Sequence, residues 1–109
     1  MAAVFQRQEV LERLDGDEDL LQELVAIFLE HAHQQVQRLR EALGTGNAPD
    51  LVHQAHSLKG AATGLGAEAL GMIAARLELA GKSGRLADAP HLLQALEEEL
   101  ARFREAVAL

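Results

Sequence analysis

The chain has 109 residues, of which 49% are hydrophobic and 3% aromatic, with no cysteine and a formal net charge of −7. A chain of that length makes one domain and buries roughly 65% of its extended surface, so its core needs no disulfide or metal. Without cysteine there is no disulfide framework, thiol nucleophile or thiolate metal site, and ten Lys and Arg scattered among seventeen acids leave no basic stripe for nucleic acid.

No apolar run approaches the roughly 20 residues of a membrane span. The start, Met1 to Arg7, is too short and too polar for a secretory signal. A cytoplasmic protein is expected.

Ala and Leu dominate, which favours helix over strand. The first predicted helix is short, about Gln8 to Leu14, and stops at the Asp15-Gly16-Asp17 turn. Asp17 is placed to cap a long second helix, about Glu18 to Leu43, with Glu18 and Asp19 in its first turn. Leu21, Leu24, Val25, Phe28, Ala32, Val36 and Leu39 form its core stripe, and Gly44-Thr45-Gly46-Asn47 stops it. Ala48-Pro49-Asp50 opens the third helix, which runs to Gly64–Gly66, with Pro49 suited to a first helical position. The fourth starts at Ala67, turns Leu70, Ile73, Ala74 and Leu77 inward, and ends at Gly81-Lys82-Ser83-Gly84. The fifth begins near Asp88-Ala89-Pro90, with Asp88 as its cap, and is carried by Leu92, Leu93, Leu96, Leu100, Phe103 and Val107. Short connections imply antiparallel neighbours. The expected fold is all-α: an up-down-up-down four-helix bundle, with the short first helix across one end.

The third helix carries the most informative run, His56-Ser57-Leu58-Lys59-Gly60-Ala61-Ala62. At roughly 100° per residue, Leu51, Ala55, Leu58, Ala62 and Leu65 share one apolar face, and His56, Lys59, Gly60 and Thr63 share the opposite one. His56 is therefore a solvent-facing nucleophile with an ammonium one turn away. Gly60 costs the helix about 1 kcal/mol relative to Ala, and it lies away from the apolar stripe. A close helix contact would be the bland explanation; a cleared approach to the imidazole is the functional one. Lys59, roughly 5–6 Å from His56 at Cβ, would neutralise part of the two negative charges a phosphoryl group brings. As a like charge, it would also favour the neutral ring before reaction.

Other chemistries fit less well. His31, His33 and His91 are expected on solvated faces. His53 with Asp50 lacks a third ligand for a metal. Ser57 points about 100° away from His56, so the two form no catalytic pair, and no Gly-x-Ser-x-Gly elbow or phosphate-cradling loop is present.

The run from His56 through Gly66-Ala67 resembles the motif of the histidine-containing phosphotransfer (HPt) domains of two-component phosphorelays, His-x-Leu-Lys-Gly-(Ser/Ala)-(Ala/Ser) followed by Leu-Gly. The resemblance extends over nearly the whole chain, through Ile27-Phe28-Leu29 and Arg76-Leu77-Glu78, and has the flavour of modules attached to hybrid sensor kinases. It implies His56 as the phosphorylated histidine, Lys59 as support for the phosphoryl group, and Gly60, with Thr63 on the same face, as room for a receiver domain. Glu78 falls where some relatives place a polar residue near the histidine; being acidic it would repel a phosphoryl group, and Lys82, one turn on, could offset that charge. Receiver docking would use an apolar patch drawn from Leu11, Leu14, Leu20, Leu24 and Ile27, although packing under the first helix explains Leu11 and Leu24 equally well.

The partners implied are a response-regulator receiver domain and a sensor histidine kinase. The chain is expected to have no ATP site and no cofactor of its own, the receiver supplying Mg²⁺, and to act as a monomeric relay rather than an enzyme. The alternative is a scaffold that docks a receiver without exchanging phosphate. Free-standing protein and piece of a larger sensor fit equally.

Overall fold

The structure, a computed structural model, describes residues 1–108. These residues form five α-helices and no strand: α1 (Arg7–Arg13), α2 (Glu18–Thr45), α3 (Ala48–Gly64), α4 (Glu68–Lys82) and α5 (Ala89–Val107). A single 3-10 turn, Leu86–Asp88, leads into α5.

The helix ends follow from local chemistry. The Asp17 carboxylate accepts from the Leu20 amide at 3.0 Å and caps α2. At the other end Gly46 adopts a left-handed conformation (φ 69°), and the Asn47 amide donates to the Ala42 carbonyl at 2.8 Å. Asn47 then caps α3, its side-chain oxygen accepting from the Asp50 amide at 3.1 Å. One turn residue thus closes α2 and opens α3, whereas the sequence reads it only as a stop. Asp88 is a correction: it makes no side-chain cap bond, because it already lies in the helical region at the end of the 3-10 turn.

The packed neighbours are α2 on α3, α3 on α4, α4 on α5, and α5 back on α2. One core fills the space between them. Leu51, Ala55, Leu58, Ala62 and Leu65 of the third-helix stripe are all buried, as are Leu70, Ala74, Leu77, Leu96 and Phe103. Phe103 meets the rings of Phe5 and Phe28 edge-on, each at 5.3 Å between centroids. Leu24 departs from its predicted core position, being 36% exposed on the surface of α2.

The N-terminal segment is tied to the α3–α4 junction. Gln6 donates its amide to the Gly66 carbonyl at 2.8 Å, and the Glu68 carboxylate accepts from the Ala3 amide at 2.9 Å. Gly66 combines φ 79° with a backbone approach in which an added Cβ would lie 2.7 Å from Val10 Cγ2. That junction accepts glycine alone.

The tightest seam is α3 against α4. A Cβ at Gly71 would lie 2.7 Å from Thr63 Oγ1, and one at Gly81 would lie 2.6 Å from Val52 Cγ2. Gly81 is therefore buried inside α4 and sets helix spacing, where the sequence suggests a helix stop. The two contacts sit on either side of the level at which His56 faces Glu78.

Candidate functional site

His56 stands on the solvent side of α3, its side chain 66% exposed. Burial of Leu58 and Ala55 orients the helix, and His56 follows on the opposite face. Across the seam, Glu78 of α4 reaches the imidazole, with Oε2 2.9 Å from His56 Nδ1. The other oxygen, Oε1, accepts from Lys59 Nζ at 2.7 Å. Lys82 Nζ lies 3.0 Å from Oε2, one turn along the same helix. A single carboxylate, 7% exposed, therefore gathers three cationic or donor groups from two helices.

The electrostatics follow from that count. The Glu78 pKa is lowered from 4.5 to about 2, first by the hydrogen bond from Lys59 and then by that from Lys82; burial opposes the shift and the His56 contact adds to it. At neutral pH Glu78 is an anion and can only accept. The proton of that contact must then sit on His56 Nδ1, and in the neutral ring this puts the lone pair on Nε2. The ring nitrogen that points away from α4 has no partner on that helix.

Around the imidazole the surface is clear. Gly60 is exposed, and a Cβ there would meet nothing within 4 Å. No close helix contact accounts for the glycine. Thr63 is exposed one turn further, its hydroxyl turned to the Gly71 backbone. Ser57 accepts a hydrogen bond from the Gln35 side chain at 2.9 Å, which joins α2 to α3 beside the histidine. The sequence reading passes over that bond, since neither residue carries a periodicity signal.

The residues expected to form an apolar patch separate. Ile27 is 53% exposed and Leu24 36%, and with Phe28, His31, Ala61 and Leu65 they line a shallow concavity of about 280 Å³ on the α2–α3 face. Leu20 is exposed on α2 but does not line it. Leu14 is half-buried against the core. Leu11 is a correction: at 8% exposure it belongs to the core, held there with Val10 by the packing of the N-terminal segment, and it has no surface to offer.

Glu78 also needs restating. As an isolated acid it would repel a second anion, but its charge is answered by two ammonium groups and its oxygens face Nδ1, not Nε2. Lys82 makes the offsetting contact its spacing suggests. Among the described residues, no group of three or more His, Asp or Glu side chains is arranged to hold a metal ion, and no helix is long and apolar enough to cross a membrane.

The family profile of the Hpt domain matches residues 23–106. The chain superposes on the crystal structure of histidine-containing phosphotransfer protein B (HptB) from Pseudomonas aeruginosa PAO1 with a TM-score of 0.90 and 29% identity, over 99% of this chain and 94% of that one. No curated protein matches it. The chain belongs to the Hpt family, and with it to the histidine phosphotransfer intermediates of phosphorelay signalling.

Proposed function

We propose that His56 is the phosphoacceptor and that Nε2 is its reacting atom. The observation that carries this reading is the contact between Nδ1 and the ionised Glu78, which leaves Nε2 as the exposed lone pair. In the forward step Nε2 attacks the phosphorus of an aspartyl phosphate on a receiver domain. The N–P bond forms as the P–O bond to the carboxyl group breaks, and the electron pair leaves with the aspartate. The proton on Nδ1 stays where it is. The ring then carries a positive charge facing the Glu78 carboxylate, and no proton has to move.

The reverse step uses the same arrangement, so the domain relays in either direction according to which receiver or kinase is loaded. Lys59, one turn from His56 and 36% exposed, is the cation that meets the phosphoryl oxygens. Gly60 and Thr63 leave the approach open, and Leu24 and Ile27 form the apolar contact on the neighbouring α2–α3 face. Mg²⁺ and the remaining catalytic groups belong to the receiver in this reading. The cyclic order of packed helices, α2 to α3 to α4 to α5, supports an up-down-up-down arrangement of the four long helices.

The test is transfer from a panel of receiver domains loaded with acetyl phosphate and Mg²⁺, using wild type and His56→Gln. Transfer to the wild type and none to a folded His56→Gln is the expected result. A receiver that binds both proteins and transfers to neither would establish a docking scaffold instead.

A further inference from the structure

Glu78 has more positive charge around it than its own single charge requires. Lys59 binds Oε1 and Lys82 binds Oε2, while His56 Nδ1 shares Oε2. One ammonium would balance the carboxylate in the resting protein. The second becomes necessary only when the first is needed elsewhere.

Phosphorylation of His56 creates that need. The phosphoryl group brings about two negative charges to Nε2, within reach of the Lys59 side chain on the next turn of α3. If Lys59 moved to it with no replacement, the Glu78 side chain, 7% exposed, would keep only the imidazolium, whose charge the phosphoryl group also shares. A buried carboxylate short of counter-charge is costly, so Glu78 would compete with the phosphoryl group for Lys59. Lys82 removes the competition. It approaches from α4, 60% exposed and one turn past Glu78, on the oxygen that Lys59 does not use.

We propose that Lys82 is a positioning residue for the phosphorylated state: it remains as the counter-ion of Glu78 when Lys59 turns from the carboxylate to the phosphoryl group. The exchange needs no bond to form or break beyond the N–P bond already described. The ionised state of Glu78 is preserved throughout, and with it the contact that fixes the imidazole. This rests on His56 being the acceptor.

The experiment loads the full chain with phosphoramidate and follows loss of the phosphoryl group to water by intact mass near neutral pH. Wild type is compared with Lys82→Met, Lys82→Arg, Lys59→Met and the double Met variant. Lys82→Met is expected to shorten the phosphohistidine half-life roughly three- to tenfold, the scale of one partly screened contact to a charged group. Lys82→Arg restores it. In the Lys59→Met background the Lys82 substitution changes the half-life less than in wild type, because there is no Lys59 for Glu78 to withhold from the phosphoryl group. Before loading, ¹⁵N shifts of His56 in Lys82→Met still show the proton on Nδ1, since Lys59 holds Glu78.

A half-life in Lys82→Met within about twofold of wild type, or an equal effect of the substitution in both backgrounds, overturns the exchange. Failure of the wild type to load at His56 overturns the acceptor assignment and the exchange with it. Normal loading with an indifferent Lys82→Met overturns the exchange alone.

Discussion

Replacing Glu78 by Gln keeps the shape of the side chain and removes its charge, which makes the carboxylate's contribution measurable as a function of pH. The shift from 4.5 to about 2, at about 1.4 kcal/mol per unit, bounds that contribution at about 3 kcal/mol. Lys59 and Lys82 are 36% and 60% exposed, and water screens their attraction, which brings the figure to on the order of 1–2 kcal/mol.

The sign follows from linkage. The folded-state pKa lies below the unfolded one, so the stabilisation is complete above about pH 5 and fades as pH falls through 4.5 towards 2. At about pH 3 roughly 40% of it remains. Urea midpoints of wild type and Glu78→Gln, taken at neutral pH and at about pH 3, give the difference directly. The stability gap at neutral pH is expected to shrink to less than half at the lower pH. Background protonation of other acids is common to both proteins and drops out of the difference. A gap that stays constant or widens in acid would refute an ionised, lysine-bound Glu78.

Gly60→Ala is expected to stabilise the fold by up to about 1 kcal/mol, since the helix gains propensity and the new Cβ meets nothing within 4 Å. The same variant should lose transfer from a receiver while still accepting phosphate from phosphoramidate, a small donor. Slower transfer is the critical half: a variant that is more stable and equally fast removes the clearance argument. Ile27→Asp, placing a charge in the 53%-exposed position beside the site, should weaken receiver binding by roughly tenfold, as expected for losing an apolar anchor, and leave the phosphoramidate adduct unchanged. Calorimetric titration with a transferring receiver separates the two. Gly81→Ala should lower stability by about 1–2 kcal/mol despite better helix propensity, because its Cβ would lie 2.6 Å from Val52 Cγ2. Thermal unfolding of the Gly81→Ala/Val52→Ala double variant should recover part of that loss, and no recovery would mean that the seam is not the cause.

Helix-level features were legible because they are local. The α3 stripe from Leu51 to Leu65 is buried as its spacing requires, and Asp17 caps α2 through a bond three residues long. His56, Lys59 and Gly60 were found for the same reason, since they lie within five residues on one helix. What periodicity does not carry is the register between helices. Glu78 is 22 residues from His56 in sequence, and its meaning depends on how α3 and α4 slide against each other. That register is set where Gly71 meets Thr63 and Gly81 meets Val52. One heptad back along α3, from Thr63 to His56, matches one heptad forward along α4, from Gly71 to Glu78. A glycine in a helix reads as a weak point or a stop until its partner is known. Leu11 shows the same limit: an amphipathic turn near the N-terminus does not say which neighbour covers it, and here the chain end folds back over the α3–α4 junction.

All five histidines, His31, His33, His53, His56 and His91, are exposed, so the central claim is best tested where each of them has an equal opportunity. Brief treatment with phosphoramidate, intact mass, and ¹⁵N–¹H correlation of the imidazole rings report how many phosphoryl groups are added, on which histidine and on which nitrogen. The account predicts that the first group enters at Nε2 of His56 and that His56→Gln lacks it. First addition at another histidine, or at Nδ1 of His56, would contradict the account.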